Sequence, residues 1–289
     1  MDLTSLEIFQ AVAAELSVTR AAAVLGRAQS NVTTRIQALE QQLGVDLFVR
    51  EGRRLSLTDQ GKLFLDYSQR LLALAEEAVQ VLHPGQPQGT LRIGSMESTA
   101  AARLPGVMIG FQQRWPGVRL AVRTGTTQAL LDLLGDGLVD CAFVALTVEE
   151  GSTVEEELAQ HGLAGVAVFE EQLVAVLPAG YAEAGTPLTL AAFATGCTYR
   201  RLGQQWLAEQ RDVAVSLTHE VASYHAMFAC VVAGQSLCIA PTSLLALQPA
   251  SQAITTRPIA TVATWLVYRK AGRTAAVDAF TDLALASQR

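Results

Sequence analysis

The sequence predicts an α+β chain of more than one domain, on three observations. Near the amino end, two helical apolar stripes flank a glycine. A long helical repeat follows and stops at a Pro/Gly-rich break. Beyond Thr90, short apolar runs alternate with helices. The length of 289 residues suits about two domains, and an apolar half of the composition is ample for real cores.

In the first segment Ala21, Ala22 and Leu25 make one stripe, and Val32, Ile36, Leu39 and Leu43 make another. Gly26 permits a sharp turn between them, and the alanines let the two helices cross closely. The second helix keeps an outward face of Gln29, Ser30, Thr33, Thr34 and Gln37, whose amides and hydroxyls suit base edges and phosphates. After Gly44, the apolar Val45, Leu47 and Phe48 lead to Arg50, Arg53 and Arg54 around Gly52, and Leu55 and Leu57 then alternate. That pattern predicts a two-stranded wing with basic tips. Thr58 is placed to cap a new helix, with Asp59 in its first turn. These features together read as a winged helix-turn-helix.

Charge is distributed accordingly. The chain carries -6 overall, yet residues 20–54 hold six arginines against Glu40, Asp46 and Glu51. A duplex is therefore attracted to one end only.

This amino-terminal pattern resembles the LysR-type transcriptional regulators. It is carried by Phe9, Ala11 and Val12, by Thr19 through Leu25, and by Gln29, Ile36, Ala38, Leu39, Glu40, Leu43, Gly44, Leu47, Phe48, Arg50, Leu57, Thr58 and Gly61. The resemblance is dense over residues 1 to about 65, and the layout of the rest also fits. It implies double-stranded operator DNA as partner, self-association as a homodimer or homotetramer, and contact with RNA polymerase. It also implies a two-lobed α/β body, periplasmic-binding-protein-like, that binds a small-molecule effector. The expected DNA-binding residues are Arg27, Gln29, Ser30, Asn31, Thr33, Thr34, Arg35, Arg50, Arg53 and Arg54. Three positions depart from the family's pattern: it usually has an apolar residue at Arg27, Ser or Thr at Ala28, and often Arg at Thr34. Ala28 cannot cap the recognition helix through its side chain, a loss of roughly 1 kcal/mol. Operator choice is thus the property least safely inherited.

Residues 59 to about 82 predict one long helix, with Phe64, Ser68, Leu71, Ala75, Ala78 and Leu82 spaced as a seam for a second helix. The resemblance implies antiparallel pairing with a partner's copy. His83 to Gly89 breaks regular structure and is the clearest hinge. The expected domains are 1–58 for the winged head, 59–89 for linker helix and hinge, and 90–289 for the effector body, with lobe I about 90–165 plus 266–289 and lobe II about 166–265.

Within the body the pattern predicts βα units with mostly parallel sheets. Strands are expected at 91–94, 118–123, 139–146, 173–177, 197–199, 237–240 and 265–268; helices at 100–114, 128–134, 223–232 and from about 274. Ligands of open α/β sheets bind beyond the carboxyl ends of the strands. That rule selects Ser95, Ser98, Thr99, Thr126, Thr127, Tyr199, Arg200, Ser223 and His225 as effector candidates. Hydroxyls, helix ends and Arg200 suit an organic anion.

Other classes are disfavoured. Gly234 to Cys238 lacks the second glycine of a nucleophile elbow, and the four histidines show no metal-ligand spacing. No catalytic residue, metal or cofactor is expected. No apolar stretch is long enough for a membrane span, and the start lacks the basic character of a secretory signal, so a cytoplasmic location is expected. Two alternatives remain: a pure solute-binding module, and a redox-sensing regulator using Cys230 and Cys238. No neighbour of either cysteine would lower a thiol pKa.

Overall fold

The computed structural model describes residues 1–52, 54–83, 85–148, 151–181, 187–248 and 254–287. Arg53 and Pro84, both singled out by sequence, lie outside that set. The chain divides into two compact units, Met1–Val79 and Gln80–Arg289.

The first unit contains α1 (Leu3–Glu15), α2 (Val18–Val24), α3 (Gln29–Leu43), β1 (Phe48–Glu51), β2 (Arg54–Leu57) and α4 (Asp59–Gln80). The stripes expected from spacing meet in one core of Ile8, Phe9, Val12, Ala21, Ala22, Val32, Ile36, Leu39 and Leu47. Phe9 anchors it, its ring 5.4 Å from Phe48 and 5.1 Å from Phe64. Glycines close the turns: Gly26 and Gly44 adopt φ of 62° and 71°, which other residues rarely do. β1 and β2 pair antiparallel from Phe48↔Leu57 to Glu51↔Arg54, the expected wing.

The second unit is built on one eight-stranded mixed sheet, in the order β4-β3-β5-β10-β6-β9-β7-β8. Its strands are β3 (Thr90–Ser95), β4 (Arg119–Thr124), β5 (Cys141–Ala145), β6 (Leu163–Pro178), β7 (Leu188–Ala192), β8 (Val215–Glu220), β9 (Ser236–Pro241) and β10 (Ile254–Arg269). Its helices are α5 (Glu97–Ala102), α6 (Leu104–Arg114), α7 (Thr127–Gly135), α8 (Val154–Gln160), α9 (Thr198–Glu209), α10 (Tyr224–Val232), α11 (Thr242–Leu245) and α12 (Ala275–Ala286). β3 pairs parallel with β4 and β5, and β7 pairs parallel with β8 and β9. Between these two half-sheets run β6 and β10, antiparallel to each other from Leu163↔Arg269 to Pro178↔Ile254. The two halves therefore share a common pair of crossing strands, and α12 returns to the first half, where Phe280 packs 5.3 Å from Phe111.

Several expectations need correction. The helix expected at 100–114 is two helices, because Pro105 opens α6 and cannot continue α5. The strand expected at 197–199 is the start of α9: Gly196 at φ 93° turns the chain, and Cys197 becomes the helix's N-cap. The crossing strands are far longer than the apolar runs at 173–177 and 265–268, since their polar stretches are paired within the sheet. Among the described residues, no helix is long and apolar enough to cross a membrane.

Candidate nucleic-acid interface and effector cleft

In the head, the polar face of α3 stays in solvent. Gln29, Ser30, Asn31 and Thr34 are exposed, and Thr33 and Arg35 are half-buried. Arg27, Arg50 and Arg54 are also exposed, so the turn and the wing present positive charge. Arg35 is engaged within the domain, 3.0 Å from Asp2, the N-cap of α1. The Asp2 carboxyl lies below its usual range, chiefly through the Ser5 N–H. Ala28 is the N-cap of α3 and makes no side-chain cap. Thr33 donates its hydroxyl to Gln29 O at 3.0 Å, leaving the oxygen's acceptor capacity outward.

Polar contacts fix the wing against the helices. Glu40 accepts the N–H groups of Leu47 at 2.8 Å and Phe48 at 3.1 Å. Thr58 donates to Asp46 O and accepts the Gly61 N–H, capping α4 as its position suggested. Gly61 has no room for a side chain, because a Cβ there would stand 2.0 Å from Leu47 O.

In the body, the carboxyl ends of both half-sheets face a common cleft. β3 leads into α5, the β4 end leads through Thr126 into α7, β7 leads into α9, and β8 leads into α10. The halves touch across it. Thr198 Oγ1 lies 3.1 Å from Thr127 Oγ1 and donates to Ala145 O at 2.8 Å. The Gln128 N–H donates to Gly196 O, and the Tyr224 N–H donates to Glu97 Oε2 at 2.9 Å. A cavity of about 460 Å³ lies at the α7 and α9 ends, and one of about 340 Å³ lies beside Glu97 and Thr126.

The predicted effector residues distribute unevenly about this cleft. Thr126 caps α7, Thr127 is buried at the cleft floor, and Ser98, Thr99 and Tyr199 are buried behind it. Burial pushes the Tyr199 phenol up, with the Glu171 charge adding and the Thr264 and Ser98 hydroxyls opposing. Ser95 is fully buried, its hydroxyl bonded to Met96 O. Arg200 pairs with Glu220 at 2.7 Å and with Phe193 O, so its charge is already met. Ser223 is half-buried before α10, while His225 is exposed on that helix's first turn. Glu97, Gln128 and Thr198 also line the cleft and are not among the residues expected there. A lone carboxylate among the hydroxyls of 95–99 was the signal for Glu97; reading 197–199 as a strand hid Thr198 at a helix start.

Residues 3–62 match the family model described as "Bacterial regulatory helix-turn-helix protein, lysR family", and residues 84–289 match "LysR substrate binding domain". The chain is a LysR-type transcriptional regulator. Its LysR-type relatives extend over nearly the whole length. The uncharacterized HTH-type transcriptional regulator YusT of Bacillus subtilis is 34% identical over 264 residues, 90% of this chain and 85% of that protein. YofA of Bacillus velezensis is 38% identical over 248 residues, 84% and 82% of the two chains. The crystal structure of CbnR, a LysR family transcriptional regulator, superposes with a TM-score of 0.67 over all of both chains at 20% identity. Full-length CbnR complexed with its target DNA gives 0.66 over 99% of this chain and 100% of that one. LysR-type proteins are DNA-binding regulators and not enzymes.

The two cysteines of the redox alternative sit in different surroundings. Cys230 is exposed on α10, whereas Cys238 is buried in β9, where burial raises its thiol well above the ordinary value. Cys197 lines the cleft, but burial raises its thiol too, against the N–H groups of Arg200 and Tyr199.

Proposed function

We propose that this LysR-type regulator acts as a homodimer or homotetramer, present in the cytoplasm, whose paired heads read two half-sites of a partly palindromic operator. The α3 residues Gln29, Ser30, Asn31, Thr33 and Thr34 read bases, while Arg27, Arg35, Arg50, Arg53 and Arg54 hold phosphates. A small-molecule effector carrying an anionic group binds between lobe I (about 90–165 plus 266–289) and lobe II (about 166–265), and its binding changes the spacing of heads 1–58 through the linker 59–89. The resulting change on DNA is passed to RNA polymerase.

The observation that carries the effector reading is the set of contacts across the cleft, where Thr198 reaches both Thr127 and Ala145 O. A ligand that inserts among these hydroxyls and helix ends changes how the halves close. Ser95, Ser98, Thr99, Thr126, Thr127, Tyr199, Arg200, Ser223 and His225 remain the first-choice positions for substitution. The dimer reading is supported by α4, which leaves Leu63, Tyr67, Leu71 and Leu74 between 40% and 61% exposed on one face.

A thermal-shift screen of organic acids, amino acids and other metabolites on the full chain tests this reading, because a ligand of the folded cleft raises stability by mass action. A hit should alter the footprint on DNA and lose its effect in Thr198→Val. A hit that ignores that substitution, and leaves DNA binding unchanged, contradicts the cleft assignment.

A further inference from the structure

The cleft cavity does not end at α9. Its lining includes Gln128, Leu131 and Leu146, and the same three residues line a larger cavity of about 640 Å³ between α7 and α8. The two spaces adjoin along α7 as one trench. Each is of a size typical for small-molecule sites.

The trench is electrically polar from end to end. At the α9 end the lining contains Arg200 and Arg201 and no carboxylate. Arg200 is paired with Glu220, but Arg201 donates to the Thr147 hydroxyl, and no carboxylate pairs with it among the described residues. At the α8 end the lining contains Asp132, Asp136 and Glu157 with no lysine or arginine, and one histidine, His161, whose Nδ1 lies 3.0 Å from Glu157 O. Asp132 is held toward the trench wall by Gln128 Nε2 at 2.9 Å. Between the ends, Leu131 and Leu146 make an apolar waist, and Leu158 and Leu163 extend it beneath the acidic rim.

We infer that the effector of this regulator is an elongated zwitterion, with a carboxylate at Arg201, an apolar stem over Leu131 and Leu146, and an ammonium group beside Asp132 and Glu157. The inference rests on the cleft reading above and deepens it by naming the ligand class. Complementary charge selects at both ends: a simple dianion meets like charge at α8, and a simple amine meets it at α9. The apolar waist rewards a methylene stem and penalises a polar one.

The test is isothermal titration of the full chain with ω-amino acids from 4-aminobutanoate to 8-aminooctanoate, alongside the alkanoates and alkylamines of matching length. The best ω-amino acid should bind at least tenfold more tightly than either matched single-charge analogue. Arg201→Gln should reduce it to the level of the alkylamine, Arg201→Lys should retain part of the preference, and Asp132→Asn with Glu157→Gln should reduce it to the level of the alkanoate. Thermal melts of the variants report whether each still folds. Alkanoates binding as tightly as the ω-amino acids would overturn the zwitterion while leaving the cleft reading intact. So would no binding by any probe while a metabolite from the screen still depends on Thr198. Tight ω-amino acid binding that survives both sets of substitutions would place the ligand elsewhere and overturn the trench.

Discussion

Ala28 shows how a single position carries both a structural cost and a functional clue. As N-cap of α3 it offers no acceptor, so the first N–H groups of the recognition helix keep their hydrogen-bonding capacity. Ala28→Ser should stabilise the head by about 1 kcal/mol, read as a higher urea midpoint, because the hydroxyl can accept from the helix's first turn. In the proposed reading Thr33 and Arg50 divide the labour on DNA. Thr33→Ala should change the ranking of operator sequences with little change in salt dependence, whereas Arg50→Ala should weaken binding to all sequences and lower the salt slope by about one per head. Anisotropy titrations on several duplexes at several salt concentrations separate the two. Glu97 carries a pH signature of its own: burial raises its carboxyl above 4.5, opposed by the Tyr224 N–H and the Ser223 hydroxyl. A carboxyl raised on folding favours the folded state most below its unfolded pKa and loses that advantage as pH rises through the folded value. Glu97→Gln should therefore flatten the body's melting temperature against pH in the range just above 4.5.

Elements in the head were the most legible part of the sequence, and the reason is local. Helix stripes, glycines at positive φ and the Thr58 cap are each encoded within a few residues, and the structure has them at the expected places. α4 was legible as a helix but not as a surface. The spacing suggested a seam through Phe64 and Ser68, yet Phe64 packs on Phe9 and Ser68 is fully buried against Gln10. The open face runs through Leu63, Tyr67, Leu71 and Leu74, and of the expected seam it keeps Leu71. Periodicity identifies stripes; it does not say which stripe the domain keeps for itself. Leu74→Glu should therefore convert the oligomer to monomer in sedimentation while the head stays folded. Operator affinity should fall on the order of a hundredfold as the two half-sites lose their linkage. Gly61→Ala tests the other side of the same helix: its Cβ meets the Leu47 carbonyl, and the head should lose roughly 1–3 kcal/mol in thermal melts. In the body the failures were non-local. The length of β6 and β10 depends on each finding the other across more than seventy residues of chain, and the helix start at Thr198 depends on Gly196 packing against α7.

At the scale of the whole molecule, the chain separates its charge: a basic reading end on an otherwise acidic protein of net charge -6. Such a molecule meets a duplex through one face, and the acidic remainder resists indiscriminate contact. A fold of this kind is defined by the site it carries. Of that site the sequence disclosed the loops but not their pairing. Thr126 and Thr127 were visible as a helix start, while their meeting with Gly196 and Thr198 required the crossing strands to bring two half-sheets together. The most direct test of the regulator is binding of the full chain to genomic promoter fragments against scrambled duplexes of equal length, across a series of salt concentrations. The account predicts a subset of fragments bound far more tightly than scrambled DNA, with affinity falling steeply as salt rises and with fragment preference altered by Thr33→Ala. Absence of salt-sensitive, sequence-selective binding at any fragment would contradict it.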